Sequence, residues 1–343
     1  MTVTTGVADV RPRPEELRYV QTVDRSMVHR DALSEVFLTD SQQIAPHRYL
    51  AAAQLPPTHA YYTDHLLSGL PDPLLLLESC RQAETYGGHA YFGVPRDTKF
   101  ILRSWRVDLP GLLAARGTAG PAPLVMDVTT LGRRGPAGRL RALTYASDVQ
   151  LAGHHLGDVR IDVGYLGSES YALLRADQRG GTPPPSSTAL RATPPGLAPD
   201  LVGRTQRANV VLDTVHLETG GAVATVRLPV DHPSMFDHAQ DHLPGMVLME
   251  AARQLALVAG GHHHGTPPTR TTVAGFAFDF SRYAELDAPV TARLRTGLPA
   301  EAVLADALPE VHTYAVEFLQ HGAVIAQGGI STTTLPAGAE TRA

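Results

Sequence analysis

The sequence has a single cysteine, Cys80, a single lysine, Lys99, and no long apolar run. One cysteine excludes an internal disulfide framework and any metal site built only from cysteines. One lysine leaves one candidate for Schiff-base chemistry or a phosphate-binding loop, and Lys99 lies in neither motif. The apolar run at 74–77 is far too short to span a bilayer, and no signal-peptide run opens the chain. We therefore expect a cytoplasmic protein that does not act in a membrane.

The sequence also has no large excess of positive or negative charge. The formal net charge is −5 at pH 7 over 343 residues, so there is no general basic field to attract nucleic acid or an acidic membrane surface. The apolar fraction of 43% and the charged fraction of 18% indicate a globular chain and not a disordered one. A chain of this length can form two domains, each with its own core.

An internal repeat is the main positive feature of the sequence. Residues 55–65 align without a gap against residues 228–238. The identical positions include a histidine and an Asp-His pair in each copy: His59, Asp64 and His65 against His232, Asp237 and His238. Similarity that keeps one order across separate segments indicates a duplication.

The match continues, after a one-residue gap, in a Glu-x-x-Arg-Gln motif. Its residues are Glu78, Arg81 and Gln82 in the first copy and Glu250, Arg253 and Gln254 in the second. A stretch rich in Pro, Gly, Ser and Thr separates the copies and is typical of a linker. We expect an N-terminal domain over 24–175, a linker over 176–200 and a C-terminal domain over 201–333.

The motif lies on a predicted helix in each copy. Asp72-Pro73 offers an N-cap and a first-turn proline, Pro244-Gly245 opens the second helix, and paired glycines are expected to end both. These helices are apolar on nearly every side, so each should be enclosed by other structure. β-prone segments follow each helix. The pattern predicts an α+β fold in which a curved antiparallel sheet wraps each central helix.

Residues 28–40, 72–83 and 236–254 resemble the AfsA family of γ-butyrolactone autoregulator synthases, and the likeness covers roughly residues 24–330. The resemblance implies a tandem double hotdog fold and an acyltransferase without a metal or redox cofactor. Such an enzyme moves a β-ketoacyl group from an acyl carrier protein or coenzyme A thioester to the hydroxyl of dihydroxyacetone phosphate. The ester leads to a γ-butyrolactone, butenolide or furan signal that controls antibiotic production.

The two Glu–Arg pairs are the predicted catalytic residues. Each pair is spaced i, i+3, so its members meet on one helix face in apolar surroundings. A buried carboxylate must be paired, hydrogen-bonded or protonated, which a structural ion pair would satisfy. The functional interpretation is a general base beside an arginine that contacts thioester, phosphate or oxyanion. We predict this role for Glu78 with Arg81 and for Glu250 with Arg253, with a slight preference for the second copy because of its Pro-Gly helix start.

Other repeated polar positions are predicted to bind substrate: His59, Asp64, His65, Gln82, His232, Asp237, His238, Gln254 and Gly245. A lone histidine is more often structural than catalytic, but His232 and His238 stay open as alternative bases. Backbone N–H groups near 72–74 or 245–247 could stabilise an oxyanion. The histidine run at 262–264 is expected to lie in a loop and to hold no metal.

Two alternatives remain open at this point. One is a hotdog thioesterase or dehydratase acting on acyl thioesters, and the other is a non-catalytic module that binds an acyl ligand. In hotdog dehydratases a histidine stands where this sequence has Phe236, and His238 is displaced from that position by two residues. The displacement argues against dehydration.

Overall fold

A computed structural model of the chain describes residues 16–67, 69–118, 121–135, 138–297 and 308–336. Within these ranges the strands are β1 (Leu38–Ala45), β2 (Arg48–Leu55), β3 (Lys99–Asp108), β4 (Ala122–Arg134), β5 (Leu140–Leu151), β6 (His154–Leu166), β7 (Leu212–Glu218), β8 (Gly221–Val226), β9 (Thr271–Phe280), β10 (Val290–Thr296), β11 (Val311–Gln320) and β12 (Ala323–Thr334). The helices are α1 (Pro73–Ala90), α2 (Ser168–Gln178) and α3 (Gly245–His264). None of these helices is long and apolar enough to cross a membrane.

The strands form one antiparallel sheet in the order β1-β2-β4-β5-β6-β3-β9-β12-β11-β10-β8-β7. The order is the same from either edge to the middle, because β7 to β12 repeat β1 to β6. Strands β3 and β9 pair in the centre, from Ser104 with Asp279 to Asp108 with Gly275. The duplication therefore appears as two half-sheets joined edge to edge, and the join removes an edge strand from each half.

Each half-sheet packs on one central helix, α1 or α3. The predicted start of α1 is confirmed, because the Asp72 side chain accepts a hydrogen bond from the Leu74 N–H at 2.7 Å and Pro73 follows it. Both helices bury most of their residues. An apolar helix is stable in this position because sheet and loops cover it on several sides.

The prediction that paired glycines end these helices is wrong. Gly87 lies inside α1, where an added Cβ would be 2.6 Å from the Tyr49 hydroxyl, and Gly260 lies inside α3, where it would be 2.9 Å from the Tyr314 hydroxyl. The glycines allow a tyrosine to pack against the helix backbone. Helix α3 ends instead at Gly265, whose φ is 70°. The histidines at 262–264 thus form the last turn of α3 and not a loop.

Helix α2 has no counterpart among the elements predicted from the sequence, and it spans the expected boundary at residue 175. It is held by charge: Arg175 donates to the Glu285 carboxylate at 2.7 and 2.9 Å, and Arg179 contacts Asp287 at 2.7 Å. Between α2 and residue 200 the chain forms only short 3-10 turns. Helix α2 also brings Tyr171 to the cavity described below.

Candidate active site

A buried carboxylate on α1 lies between two arginines. Glu78 is fully buried. Its Oε1 is 2.6 Å from Arg30 Nη2 and 2.8 Å from Arg81 Nη2, and its Oε2 accepts from Arg81 Nε at 2.8 Å. Burial raises the pKa of Glu78, but the guanidinium charges of Arg30 and Arg81 outweigh burial and hold the pKa at about 2. Glu78 is therefore ionised, and it orients both arginines.

The second copy repeats this cluster on α3. Glu250 is fully buried and accepts from Arg204 Nη2 at 2.8 Å and from Arg253 Nε at 2.9 Å. The Tyr61 hydroxyl donates to Glu250 at 2.9 Å, and Arg253 Nη1 lies 2.8 Å from both oxygens of Asp72. Burial raises the pKa of Glu250, but the Arg204 and Arg253 charges hold it below its usual value. Each charged side chain of this cluster is paired with one of opposite sign.

A cavity of about 810 Å³ opens beside the first cluster, and Arg30, Arg81 and Ser234 line it. The pocket beside the second cluster has a volume of only about 20 Å³. In the repeat, Ser234 is aligned with Tyr61. The Tyr61 ring is buried 4.9 Å from the Arg204 guanidinium. Tyr61 thus fills the space beside the Glu250 cluster, whereas the smaller Ser234 leaves the equivalent space beside the Glu78 cluster open.

A second exchange separates the two arginines of the motif. Asp72, which pairs with Arg253, is aligned with Pro244, which has no carboxylate. The Arg81 side chain is 20% exposed, whereas the Arg253 side chain is 8% exposed. Arg81 can therefore contact a ligand, and Arg253 is occupied by protein carboxylates. This geometry favours the first copy, the reverse of the preference that the helix start suggested.

The aspartate of each Asp-His pair joins the two copies. Asp64 accepts from the backbone N–H groups of 205–206 at 3.1 and 3.0 Å. Asp237 accepts from the N–H groups of 31–32 at 2.7 and 2.9 Å. Each segment held in this way directly follows the arginine that contacts the buried glutamate. Asp64 thus helps to position Arg204, and Asp237 helps to position Arg30, each from the opposite copy.

The two motif glutamines bind backbone. Gln82 Oε1 accepts from the Phe37 N–H at 2.8 Å, and Gln254 Oε1 accepts from the Val211 N–H at 2.9 Å. Each glutamine therefore fixes its helix to the entry of the first strand of its copy. The prediction that these glutamines bind substrate stays a prediction, and neither is among the residues that line the large cavity.

The predicted histidines divide between the interior and the cavity. His232 Nε2 lies 2.7 Å from Asn209 Oδ1, and His59 Nε2 lies 3.3 Å from Glu35 Oε1. His65 lines the small closed pocket, and burial lowers its pKa. His238 lines the large cavity instead. Only this last histidine of the four lies where a substrate could reach it.

His238 is equipped to accept a proton. Its Nδ1 lies 3.5 Å from Asp237 Oδ2, and its Nε2 lies 2.6 Å from the amide nitrogen of Gln240. These partners assign the proton to Nδ1 and a lone pair to Nε2. Burial, followed by the charge of Arg30, lowers the pKa of His238. The imidazole is therefore neutral near pH 7 and can act as a base.

The cavity combines a cationic rim with an apolar wall. The exposed charged residues at the rim are the three cations Arg25, Arg96 and Lys99 and the two carboxylates Asp31 and Asp97, so the cations are in excess. The apolar wall comes from β3 and β6 and consists of Phe100, Leu102, Trp105, Ile161 and Val163. A rim of this charge suits a phosphate group, and a wall of this composition suits an acyl chain.

The two helix starts face different surroundings. At α1 the Asp72 side chain caps the helix, whereas at α3 no described side chain does so. Gly245 and Met246 of α3 line the large cavity. An added Cβ at Gly245 would lie 3.0 Å from Leu102 and 3.2 Å from Trp105, so glycine allows this close approach. The first N–H groups of α3 can therefore stabilise negative charge in the cavity.

Arg30, which lines the cavity, is a functional candidate that was not predicted from the sequence. Residues 28–38 align without a gap against 202–212, and this alignment places Arg30 on Arg204. The signal was therefore present as an extension of the repeat. It was weak because the shared positions are separated by unlike residues.

Two half-sheets, each packed on a buried central helix, define a tandem double hotdog protein, as predicted. The chain belongs to the A-factor biosynthesis hotdog domain family (AfsA), whose model matches residues 13–164 and 186–336. It is 35% identical over 268 residues to the 2-oxo-3-(phosphooxy)propyl 3-oxoalkanoate synthase of Streptomyces virginiae, covering 78% of this chain and 85% of the relative. A synthase of the same name from Streptomyces griseus is 30% identical over 279 residues, covering 80% and 85%. An oleoyl thioesterase structure from Lactobacillus plantarum has a TM-score of 0.48 at 13% identity, covering 84% of this chain and 97% of that chain.

Proposed function

We propose that this chain is an acyltransferase that esterifies dihydroxyacetone phosphate with a 3-oxoacyl group taken from a thioester. The name of the relatives describes that product, the 2-oxo-3-(phosphooxy)propyl ester of a 3-oxoalkanoic acid. The observation that carries the proposal is the open cavity, which brings Arg81 and His238 together with a cationic rim and an apolar wall. The ester is an early intermediate of a butyrolactone, butenolide or furan signal.

Substrate binding follows from the charge pattern of the cavity. The phosphate of the acceptor binds the rim cations Arg25, Arg96 and Lys99, because guanidinium and ammonium groups donate to phosphate oxygens. The acyl chain packs on the wall from β3 and β6. Positioning both substrates in one cavity supplies much of the acceleration expected for a two-substrate reaction.

His238 accepts the proton of the acceptor hydroxyl through Nε2, once the hydroxyl replaces the Gln240 amide at that nitrogen. The hydroxyl oxygen then bonds to the thioester carbonyl carbon. Arg81 and the first N–H groups of α3 stabilise the resulting oxyanion. The carbon–sulfur bond breaks, and the leaving thiolate takes the proton from His238. Ester and free thiol are the two products.

Glu78 has a positioning role in this proposal and not the role of general base that the sequence suggested. Its oxygens already accept from Arg30, Arg81 and Gln82, and its pKa is about 2. A base of that pKa is too weak to take a proton from an alcohol. Glu250, which is sealed in the interior, is assigned to stability.

The donor is either a coenzyme A or an acyl carrier protein thioester, and both occur with dihydroxyacetone phosphate in the cytoplasm. The test incubates the purified chain with a 3-oxoacyl thioester of each kind, with and without dihydroxyacetone phosphate. Thiol release is followed by a colorimetric reagent, and the ester is identified by mass spectrometry. We expect thiol release only when the acceptor is present.

Dihydroxyacetone, which lacks the phosphate, is the matched control acceptor and should react far more slowly. Release of free 3-oxo acid without any acceptor would support a thioesterase and contradict the proposal. Binding of the thioester without release of thiol would identify a non-catalytic acyl-binding module.

A further inference from the structure

One carboxyl group on α1 is buried at the cavity with an oxygen that has no partner. Glu84 is 4% exposed and lines the cavity. Its Oε2 accepts from Thr85 Oγ1 at 2.9 Å, whereas its Oε1 has no hydrogen-bond partner among the described residues. An unsatisfied buried oxygen is costly to a folded protein, so its presence calls for an explanation outside the fold.

The duplication shows that this fold does not need a carboxyl group at that position. Glu84 is aligned with Ala256 of α3, which is fully buried and apolar. Burial raises the pKa of Glu84 to about 7, against the opposing effects of the Thr85 hydrogen bond and the Arg81 charge. A large fraction of Glu84 is thus protonated at neutral pH and can donate a hydrogen bond to a ligand oxygen.

Glu84 lies one helical turn from the arginine assigned to the thioester oxygen. Residues spaced i, i+3 have Cβ atoms about 5–6 Å apart on one helix face. The Thr85 hydroxyl contacts both side chains, because Thr85 Oγ1 is 3.5 Å from Arg81 Nη1 and 2.9 Å from Glu84 Oε2. In a 3-oxoacyl thioester, one methylene group separates the thioester carbonyl from the 3-oxo carbonyl. An acyl group whose first oxygen contacts Arg81 can therefore direct its second oxygen to Glu84.

We propose that Glu84 donates a hydrogen bond to the 3-oxo oxygen of the bound acyl group and selects 3-oxoacyl donors over saturated donors of equal length. The inference rests on the proposed function and deepens it. A site with a buried polar group that only one substrate can satisfy discriminates against the other. The apolar wall from β3 and β6 binds both chains equally and does not discriminate.

The experiment compares kcat/KM for 3-oxooctanoyl and octanoyl thioesters with dihydroxyacetone phosphate as acceptor. The variants are Glu84→Met, which removes the donor, and Glu84→Gln, which keeps an N–H donor in nearly the same shape. The wild type should prefer the 3-oxoacyl donor. Glu84→Met should lower that preference by at least about tenfold, and Glu84→Gln should keep most of it.

The outcomes separate this inference from the proposed function. A wild-type chain that forms ester from neither donor contradicts both. A wild-type chain that forms ester, with an unchanged preference in Glu84→Met, overturns the role of Glu84 alone. Thermal melting checks folding, and Glu84→Ala, which copies Ala256 of the other half, replaces the methionine variant if methionine overpacks the site.

Discussion

The two copies of the chain hold the same buried cluster, one closed and one open. At Glu250, Tyr61 fills the adjacent space and Asp72 occupies Arg253. At Glu78 neither feature is present, and Arg81 lies on a large cavity. Buried ion pairs are poor sources of net stability, but losing one partner is strongly destabilising. The comparison teaches that a duplicated motif can keep a structural role in one copy and become available for chemistry in the other.

Alanine substitution of Arg81 and of Arg253, one at a time, should give the largest contrast. Arg81→Ala removes the side chain assigned to the oxyanion, so we expect ester formation to fall about 10²–10³-fold. Glu78 keeps Arg30 as its counter-ion beside an open cavity, so the loss of stability should be smaller than in Arg253→Ala. Arg253→Ala leaves the buried Asp72 carboxylate without its counter-ion and leaves Glu250 with Arg204 as its remaining arginine, so we expect unfolding free energy to fall by about 3–5 kcal/mol. Initial rates and urea unfolding measure the two effects.

The same two variants can also contradict the roles assigned to the two copies. If Arg253→Ala unfolds normally but loses ester formation, while Arg81→Ala does the reverse, the roles assigned to the two copies must be exchanged. Equal losses of rate and stability in both variants would mean that the copies act as one unit.

The duplication, the buried helices and the layered fold could be predicted because their signals lie within each copy. Whether each cluster is open or closed could not be predicted, because this depends on residues from the other copy. Tyr61 and Ser234 are aligned in the sequence, but each faces the helix of the opposite half. No local pattern states that Asp72, an N-cap on α1, also neutralises Arg253 on α3. The sequence thus predicted the residue types of both clusters, but not which cluster lies beside the open cavity.

Helix α2 was missed for a related reason. Its residues have no strong apolar face, and it is held by ion pairs such as Arg175 with Glu285. Partners so distant in sequence leave no periodic signal. The repeated spacing of the Asp-His pairs predicts His238 as an alternative base, but the sequence does not distinguish its open surroundings from the closed pocket of His65.

Ser234→Tyr sharpens the comparison by giving the open copy the side chain of the closed one. The phenol should occupy the cavity beside Glu78 and lower ester formation by at least about 10²-fold, because the substrates lose their reactive positions. Stability should be kept, since Tyr61 shows that the fold accepts a tyrosine at this point. Ser234→Ala is the matched control, because it loses only the 2.8 Å hydrogen bond to Glu35. Full activity in Ser234→Tyr would place the reaction outside this cavity.

The smallest expected effect concerns Glu84, a titratable residue of α1 that is replaced by Ala256 in α3. The pKa of Glu84 is raised from 4.5 to about 7 by burial. Its contribution to stability is therefore complete below pH 4.5 and is lost as the pH rises through about 7. Glutamine does not titrate. Between pH 5 and 7 the wild type should lose about 2 kcal/mol more unfolding free energy than Glu84→Gln.

Urea unfolding of both proteins at pH 5, 6 and 7 measures that difference. The titratable groups that face Glu84 are Glu78 and Arg81 from α1, Tyr49 from β2, Tyr145 from β5 and Tyr165 from β6. Burial keeps the tyrosine pKa values above this range, and the pKa of Glu78 is about 2, so neither the tyrosines nor Glu78 titrate in the window. A difference that does not change with pH would mean that water in the cavity solvates the Glu84 carboxylate, in which case the open copy tolerates a charge there without a ligand.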